Sequence, residues 1–519
     1  MQKIRLLDCT LRDGGYINNW NWGYECTKSI IRSLTNAHVD IVEVGFLRDV
    51  PECSLDITVA DTIDQLNKFL PDNDRDTIFS AMVMQSNYTH KKLEDYAGRG
   101  IKMIRLTFHD YDVEEGLAFA KEIKKKGYML AINPINIMGY LDIDILKLVE
   151  KINLIRPDFF SIVDTFGSMR SEDLNRLLYM LDHNLAESVG IALHLHENMS
   201  LSFSLAQIFL QKNTKRNIIV DGSLAGMGRT PGNLPLELLA DYLNHNYEKM
   251  YDMDYILDAA QEYILPLKGN TEWGYSPGYF LSAKYNLHRN YAEFYLGKGD
   301  LSNKDINHIL ARIESSKTTV FDWEYAEKLY QAYKCVGVDD EEDVRKLKVL
   351  FQNRNILLLA PGMSLIGYKA AISSYISQND PIIISLNFCP EEYKTDFVFV
   401  SNNKRYSFLE KKDCSYIVTS NIQAVTGDSV YKIDYKKFSQ PVSGGYNSLL
   451  MMLSLLHYME IKEVSLAGAD GYKADGTNYY TSALKESGKR DERFNTNIAN
   501  AMERIGIEIH FLTPSCYQG

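Results

Sequence analysis

The chain has 519 residues, 45% of them apolar and 24% charged, which predicts two or three folded domains because one core seldom organises so many residues. Its formal net charge of −12 argues against a nucleic-acid partner, since such proteins need a basic face. The cysteines are scattered and include no C-x-x-C pair, which argues against disulfides and zinc knuckles. We expect a cytoplasmic protein without membrane spans, because the sequence shows no secretory leader and no apolar run near ~18 residues.

Short apolar runs rich in β-branched residues recur along the first half of the chain, with amphipathic helical stretches between them. This alternation predicts parallel strands joined by crossover helices. Eight such runs lie at 4–10, 41–47, 77–84, 103–109, 129–136, 159–165, 191–197 and 218–224. Eight evenly spaced β/α units favour a closed TIM barrel over an open sheet, with the catalytic groups at the C-terminal ends of the strands.

Helical periodicity replaces the strand pattern from about 236 to 345, as in ELLADYLNHNYEKM and EKLYQAYK, and predicts a helical appendage. Its many tyrosines are interpreted as packing or interface residues, so a homo-oligomer is expected. The acidic stretch 339–343 is interpreted as a solvated hinge. Strand patterns then resume at 355–365, 381–388, 396–402, 415–421, 463–470 and 507–512. The α/β chain is therefore predicted to form a TIM barrel at 1–240, a helical appendage at 241–345 and a smaller Rossmann-like domain at 346–519.

Three metal-binding side chains are predicted at the barrel mouth. Asp13 follows the first strand in LDCTLRDGG, and His194 and His196 alternate along the seventh strand in LHLHEN. Period-two spacing points both imidazoles to one face of that strand, which in a closed barrel can be the interior. One carboxylate and two imidazoles suit Mn²⁺, our first choice, or Mg²⁺, Co²⁺ or Zn²⁺, with open positions for a chelating substrate. An H-x-H pair is as often structural, so the prediction depends on its combination with Asp13.

Arg12, beside this site, is a candidate for stabilising a growing oxyanion, because a guanidinium stays charged and donates two aligned hydrogen bonds. In the alternative interpretation, Arg12 only pairs with Glu43 or another carboxylate at a strand end. The glycine-rich stretch DGSLAGMGRTPGNLPLE, at 221–237, follows the eighth strand, where anions often dock on a barrel. Further candidates for substrate binding at strand ends and in this loop are Asp164, Thr165 and Gly226.

The segments LDCTLRDGG, EVG, LHLHEN and SLAGMGRTPGNLPLE, in this order and spacing, resemble the DRE-TIM metallolyase superfamily, and within it the 4-hydroxy-2-oxovalerate aldolases most closely. The resemblance covers about residues 4–290. It implies that a divalent metal is bound by Asp13, His194 and His196, with Asn233 at the metal or its ligand shell. It also implies that Arg12 stabilises a pyruvate enolate.

The chain departs from the aldolase pattern at one catalytic position. The aldolases carry a proton-transferring His three residues after the Asp, where this sequence has Tyr16. A phenol is a weak base at neutral pH, so Tyr16 with metal assistance, Tyr279 in the segment WGYSPGYFLSA, or His109 stay open as the group that transfers the proton. Glu43 is a further catalytic candidate.

The C-terminal segments APGMSL, SGGYNS and LAGADGY resemble a Rossmann-like fold of sialyltransferase-like and motility-accessory proteins. A strand followed by a glycine turn and a helix can place backbone N–H groups at a phosphate. The resemblance implies binding of a nucleotide or nucleotide-activated sugar by Gly362, Ser364, Gly444, Gly445 and Asp470. Such a fusion would suggest a role in surface-polysaccharide biosynthesis.

The sequence thus favours a metal-dependent aldolase that makes or breaks a carbon-carbon bond beside a pyruvate-type enolate, with an oxoacid and an aldehyde as its small-molecule partners. One alternative is a Claisen-type synthase or lyase acting on acyl-CoA with the same metal and Arg12. Another alternative is a nucleotide-sugar-binding or transferase protein in which the barrel is only a scaffold. The intact set of Asp13, His194, His196 and Arg12 argues against the scaffold interpretation.

Overall fold

The structure is a computed structural model, and it divides the chain into two compact units. The first comprises residues 1–289 and 318–320, and the second comprises residues 290–317 and 321–519. The residues described are 3–50, 54–212, 214–229, 231–269, 273–334, 337–406, 409, 414–422, 429–440, 442, 446–473, 479–481 and 492–518. Among the described residues, no helix has the length and apolarity that crossing a membrane requires.

The first unit is a closed barrel of eight parallel strands. The barrel strands are β1 (Ile4–Asp8), β2 (Ile41–Leu47), β4 (Ile78–Met84), β5 (Met103–Phe108), β6 (Met129–Pro134), β7 (Phe159–Asp164), β8 (Gly190–Leu195) and β9 (Ile218–Gly222), and the unit has one further strand, β3 (Val59–Ala60). They follow the order β1-β9-β8-β7-β6-β5-β4-β2, and pairing of β1 with β2 closes the ring. The short β3 adds to β2 outside the ring. Each of the eight predicted runs overlaps one barrel strand, so the predicted barrel is confirmed.

Crossover helices surround the barrel, and their apolar faces pack against the strands to form its outer core. The helices of this unit are Gly15–Asn18, Tyr24–Asn36, Ile63–Asn67, Val113–Lys125, Asp142–Ile155, Ser171–Asn184, Ser202–Leu210, Leu236–Tyr247, Met253–Ala259, Leu265–Lys268 and Pro277–Lys284, with π-helical turns at Thr10–Gly14 and Ala260–Ile264. Short 3₁₀ turns lie at Gln85–Asn87, His90–Lys92, Ile137–Gly139 and Leu224–Gly226.

The second unit contains a parallel sheet of seven strands. They are β10 (Ile356–Leu359), β11 (Ile382–Leu386), β12 (Phe397–Val400), β13 (Ser415–Thr419), β14 (Val430–Ile433), β15 (Glu463–Ala467) and β16 (Glu508–Phe511). The order β14-β13-β12-β11-β10-β15-β16 reverses direction between β10 and β15, which is the pattern of an open, doubly wound sheet. The unit's helices are Asn290–Gly297, Asn303–Leu310, Trp323–Lys334, Glu341–Phe351, Ser364–Gly367, Lys369–Asn379, Asn403–Tyr406, Tyr435–Phe438, Ser448–Tyr458 and Glu492–Ile505, with a 3₁₀ turn at Ser315–Lys317.

The acidic stretch 339–343 is not a solvated hinge, so that interpretation is wrong. It begins the helix Glu341–Phe351, whose buried face packs into the core of the second unit. Asp340 is only 4% exposed, and its carboxylate accepts a hydrogen bond from the Asp434 amide at 2.9 Å. Acidic side chains are favourable at a helix start because they face the positive end of its dipole. The cluster of charges therefore marks a helix N-terminus.

The helices between 241 and 345 are divided between the two units. Those up to Pro277–Lys284 belong to the barrel unit, whereas Asn303–Leu310 and Trp323–Lys334 belong to the second unit. Their tyrosines do serve packing, because Tyr291, Tyr295 and Tyr330 are buried.

Candidate active site and metal centre

The interior of the barrel is layered, with polar side chains above apolar ones. The apolar layer consists of Leu7, Cys9, Ile41, Met103, Ala131, Phe159, Ala192 and Ile219. Side chains two positions apart on a strand share a face, so the next inward residues lie nearer the C-terminal mouth. These residues are polar and buried, and they are Glu43, Arg105, Asn133, Ser161, His194 and Asp221. A polar layer is costly to bury without internal partners, so it indicates a functional site at the mouth.

The structure brings the three predicted metal-binding residues together. One ligand atom from each of Asp13, His194 and His196 lies within 4.8 Å of the other two. Asp13 Oδ2 and His196 Nε2 are 3.7 Å apart, and both atoms are buried without a hydrogen-bond partner. A π-helical turn, Thr10–Gly14, carries Asp13 directly after β1. Such turns often occur at functional sites because they redirect side chains.

Each imidazole is held through its Nδ1 atom, which leaves Nε2 for a ligand. His194 Nδ1 lies 2.9 Å from Asp221 Oδ2, and His196 Nδ1 lies 2.9 Å from the Asp164 backbone carbonyl oxygen. Histidines that bind metals commonly have this arrangement, in which the second nitrogen donates to a carboxylate or carbonyl and fixes the tautomer.

The donor set fits a divalent cation. Asn233 Oδ1 is a third buried acceptor without a hydrogen-bond partner. Gly228 packs closely against the same residues, since an added Cβ there would lie 2.3 Å from Asn233 Nδ2 and 2.9 Å from Asp13 Oδ2. Unpaired buried acceptors are costly, and a bound cation would satisfy them. Carboxylate, imidazole and amide oxygen ligands suit Mn²⁺, Mg²⁺, Co²⁺ and Zn²⁺ alike, so the residues do not select one metal.

Arg12 lies in the same buried network. Its Nε donates to Glu43 Oε2 at 2.7 Å, and its Nη1 donates to Asp13 Oδ1 at 2.5 Å. The pairing with Glu43 considered from the sequence is thus present, together with a direct contact to Asp13, the carboxylate predicted to bind a metal. Glu43 is completely buried and contacts both Arg12 and Arg105, at 2.7 and 3.2 Å. Its contacts are those of a residue that positions guanidinium groups.

The charges of this network stabilise one another. Burial alone would raise the pKa of Asp13, but Arg12 and His196 hold it well below its usual range. Burial likewise opposes the charged form of Asp221, yet Arg105 and His194 lower its pKa. Burial lowers the pKa of His194, so its ring is neutral at neutral pH and keeps a lone pair for a cation.

The predicted substrate-binding residues differ in their placement. Thr165 lines a small cavity, with an empty volume of about 230 Å³, that also contains His196, Asn198 and Arg229. Asp164 is not among the described residues that line this cavity, and its carboxylate accepts hydrogen bonds from the Ser168 and Met169 amides. Gly226 has a φ of +63°, and its carbonyl oxygen accepts from the Asn233 amide at 3.0 Å. It therefore shapes the loop that carries Asn233.

The three candidates for proton transfer occupy different positions around the mouth. The Tyr16 ring lies 5.7 Å from the Arg229 guanidinium carbon. His109 directly follows β5, its Nδ1 is buried without a hydrogen-bond partner, and burial lowers its pKa. Tyr279 reaches the site through its backbone, whose carbonyl oxygen accepts from Asn198 Nδ2 at 3.3 Å. Tyr16 thus lies beside Arg229, a residue that lines the cavity with His196.

Three residues of this network were not predicted from the sequence. Arg105 pairs with Asp221 and with Glu43, so it links the partners of His194 and Arg12. Asp221 appeared only as the first residue of the glycine-rich loop, although the period-two pattern of β9 could have identified it as inward-facing. His288 Nε2 lies 2.6 Å from Arg229 Nη2, and burial together with Arg229 and Arg289 lowers its pKa to about 3. No local spacing relates His288 to the barrel strands.

In the second unit, the predicted phosphate-binding turn is occupied by a carboxylate. The Ser364 amide donates to Asp470 Oδ2 at 2.9 Å, and the Ser364 hydroxyl also donates to Asp470. An added Cβ at Gly362 would lie 2.2 Å from the Gly468 carbonyl oxygen and 2.5 Å from Asp470. The expectation that Ser364 holds a phosphate is therefore wrong, because its donors are used within the protein. Gly444 and Gly445 lie outside the described residues.

The barrel region is similar to several known proteins. The HMGL-like family model matches residues 113–262. The 4-hydroxy-2-oxovalerate aldolase of Geobacillus genomosp. 3 is 26% identical over 277 residues, which cover 51% of this chain and 78% of that protein. The 4-hydroxy-2-oxovalerate aldolase of Carboxydothermus hydrogenoformans is 26% identical over 270 residues, covering 51% and 78%. The solved structure of Bacillus subtilis HMG-CoA lyase matches with a TM-score of 0.41 and 17% identity, covering 51% of this chain and 93% of that one.

Four observations point to the same resemblance: the eight-stranded barrel, the motifs LDCTLRDGG and LHLHEN, the family match and the aldolase relatives. The barrel unit of this chain is similar to the HMGL-like family and to 4-hydroxy-2-oxovalerate aldolases, which supports the resemblance of its motifs to the DRE-TIM metallolyase superfamily.

Proposed function

We propose that the barrel is a divalent-metal-dependent aldolase that cleaves or forms a carbon-carbon bond beside a pyruvate-type enolate. The observation that carries the proposal is the cluster of Asp13, His194 and His196, whose ligand atoms lie within 4.8 Å of one another, with Arg12 bonded to Asp13. The relatives named as 4-hydroxy-2-oxovalerate aldolases support the same reaction class.

The cation would be held by Asp13, His194 and His196, with Asn233 in its ligand shell. When bound, it supplies a Lewis acid that polarises the carbonyl of a chelated 2-oxoacid. Asp221 and the Asp164 carbonyl keep the two imidazoles oriented, since each contacts an Nδ1 atom at 2.9 Å. These contacts fix the ligands before substrate arrives.

Arg12 stabilises the charge that develops during cleavage. In the cleavage direction, the 4-hydroxyl group of the substrate loses its proton and the bond between C3 and C4 breaks. The electron pair of that bond moves to the 2-oxo group, the aldehyde leaves, and the resulting enolate takes a proton at C3 to become pyruvate. Glu43 holds the Arg12 guanidinium, so little reorganisation is needed when the negative charge grows.

Tyr16 relays the hydroxyl proton in this proposal, accepting it from the substrate as its own phenol proton passes to solvent, and His109 is the alternative. Tyr16 directly follows the turn that carries Arg12 and Asp13, and its ring lies beside Arg229. Arg229 in turn lines the cavity that contains His196. His288 is a poor base, because its lowered pKa of about 3 leaves the imidazole with little proton affinity.

The proposed substrates are small hydroxy-oxoacids and keto-acid sugars, which present the same chelating 2-oxo-carboxylate. The guanidinium groups of Arg229 and Arg289 line the cavity beside His196 and would attract an anionic substrate. The pairing of a carboxylate with guanidinium groups adds orientation as well as affinity.

Exchange of the pyruvate methyl protons with solvent tests the proposal. In D₂O, Mn²⁺-loaded protein is expected to exchange them, because the enolate forms without an aldehyde. Asp13→Ala and His194→Ala should lower the exchange rate at least ~100-fold, since both remove metal ligands. Proton NMR of the pyruvate methyl signal measures the rate.

His183→Ala is the matched control, because His183 is exposed on the outer helix Ser171–Asn184. This variant should exchange pyruvate protons at the wild-type rate. Exchange that survives both ligand substitutions and added EDTA would refute the metal-dependent mechanism.

A further inference from the structure

The second unit contains a cavity with an empty volume of about 660 Å³ at the carboxyl ends of its central strands. Ala360 and Pro361 follow β10, Leu386 ends β11, and Gly468 follows β15. The cavity thus lies where the strand order reverses between β10 and β15. In open parallel sheets, ligands bind in the crevice at this point because the loops on either side diverge. The position and size indicate a small-molecule site separate from the barrel.

The helix starts beside the cavity are already capped by side chains. Asp470 accepts from the Ser364 amide and hydroxyl, and Asn447 Oδ1 accepts from the amides of Leu449 and Leu450 at 2.9 and 3.3 Å. Backbone N–H groups that already have a partner cannot also hold an anion. An anionic ligand would therefore need a positively charged side chain.

Arg405 provides that charge. It lines the cavity from the short helix Asn403–Tyr406 and is only 8% exposed. A guanidinium matches the geometry of phosphate oxygens and stays charged when buried. A phosphate-bearing ligand is therefore the chemistry that this wall of the cavity suits.

Aromatic side chains line the cavity as well. Tyr472, Tyr479 and Tyr517 all contribute to its surface. Asn447 Nδ2 donates to the Tyr472 hydroxyl at 3.4 Å, which helps to fix that ring. Flat aromatic faces stack on the rings of nucleobases, and amides and carboxylates bind their polar edges or sugar hydroxyl groups.

We propose that this cavity binds a nucleoside phosphate, with Arg405 at the phosphate and the tyrosines at the base. The site goes beyond the proposed aldolase function, because it belongs wholly to the second unit. The same chemistry serves a free nucleotide and a nucleotide joined to a sugar.

Calorimetric titration of the full chain with ADP, GDP, CDP and UDP tests the site. At least one diphosphate should bind at one site per chain, and its affinity should exceed that of the matching uncharged nucleoside. Arg405→Gln should weaken binding at least ~tenfold, because the charged fork is lost. Arg354→Gln is the matched control, since Arg354 is exposed just before β10, at the opposite end of that strand, and pairs with Asp380. The control should bind like the wild type.

Tyr517→Ala provides a second variant that leaves the charge intact, and it decides the matter if Arg405→Gln does not fold. It should weaken diphosphate binding, and both folded variants should still exchange pyruvate protons at the wild-type rate. The proposal is overturned if the wild-type chain binds no diphosphate, if the nucleoside binds equally well, or if the folded variants bind as tightly as the wild type.

Discussion

At the scale of single residues, the polar layer of the barrel has an uneven balance of charges. Two guanidinium groups, of Arg12 and Arg105, lie among the carboxylates of Asp13, Glu43 and Asp221. Counting these side chains alone, three carboxylates exceed two guanidinium groups by one. Buried charge is tolerated when it is paired, so the excess negative charge favours binding of a cation.

Tyr16→Phe separates the two proton transfers of the proposed reaction. Cleavage of a 4-hydroxy-2-oxoacid should slow ~100-fold or more in kcat, because the hydroxyl proton loses its acceptor. Exchange of pyruvate methyl protons should persist, since the metal ligands and Arg12 are unchanged. Steady-state kinetics and NMR measure the two rates.

His109→Gln is the companion variant, because it removes the other candidate from the mouth. Its kcat is expected to stay near the wild-type value. If His109→Gln loses cleavage while Tyr16→Phe retains it, the assignment of the proton-transfer group to Tyr16 is wrong.

Asp8 is a residue whose charge state should make barrel stability depend on pH. Burial raises its pKa from 3.8 to about 7, and its carboxylate accepts from the Thr10 amide and hydroxyl. The folded state therefore keeps the proton that the unfolded chain releases. The resulting stability is complete below about pH 4 and is lost as the pH rises through 7.

Asp8→Asn should remove this loss of folding stability at higher pH. Relative to the wild type, the variant should gain roughly 2–4 kcal/mol of stability between pH 4 and pH 8. Hydrogen exchange of the β1 amides measures the free energy within the barrel. Asp142→Asn, at an exposed pair with Arg176, should show a pH dependence below ~0.5 kcal/mol. Equal pH dependence in the wild type and Asp8→Asn would contradict the buried, protonated Asp8.

At the scale of elements, irregular segments rather than regular strands and helices orient the side chains of the site. The pairing of β2 with β4 shifts register between Glu43 and Gly45, which is a bulge beside the residue that holds Arg12. Bulges re-aim side chains next to active sites. The π-helical turn Thr10–Gly14 does the same for Arg12 and Asp13 after β1.

Gly45→Ala should destabilise the barrel at this bulge. An added Cβ would lie 2.1 Å from the Thr58 carbonyl oxygen, so backbone must move. We expect a loss of at least ~2 kcal/mol, measured by urea unfolding, and a weaker retention of Mn²⁺. The loss of metal would follow from the displacement of Glu43.

Gly269→Ala is the control for this change. Its added Cβ has no neighbour closer than 3.9 Å and its backbone is helical, so the variant should be neutral or slightly more stable. A Gly45→Ala protein as stable as Gly269→Ala would show that the close approach to Thr58 does not constrain β2.

The elements that the sequence predicted are those with a long apolar run. All eight barrel strands are fully or mostly buried, so β-branched runs identified them. The strands β3 and β14 were missed because β3 has two residues and β14 is mostly half-buried. The acidic stretch 339–343 was misinterpreted because charge alone does not distinguish a helix start from a solvated segment.

At the scale of the whole molecule, the predicted metal cluster formed because its members sit at strand ends. Closure of the barrel brings β1 and β8, which are far apart in sequence, to the same mouth. The residues that support the cluster lack such a signature, since Arg105 and Asp221 are joined only by closure. The sequence predicts Asp470 near a nucleotide ligand, whereas its hydrogen bonds to Ser364 depend on a contact across 106 residues and carry no local signature.

The division of the chain has a consequence for any attempt to truncate it. Residues 318–320 return to the barrel unit, and the Thr318 carbonyl oxygen accepts from the His288 amide at 2.8 Å. A protein that stops at residue 289 would lack this segment beside the histidine that contacts Arg229. Limited proteolysis or gene splitting at one site therefore cannot yield both units intact, because the first unit takes its residues from both sides of the segment 290–317.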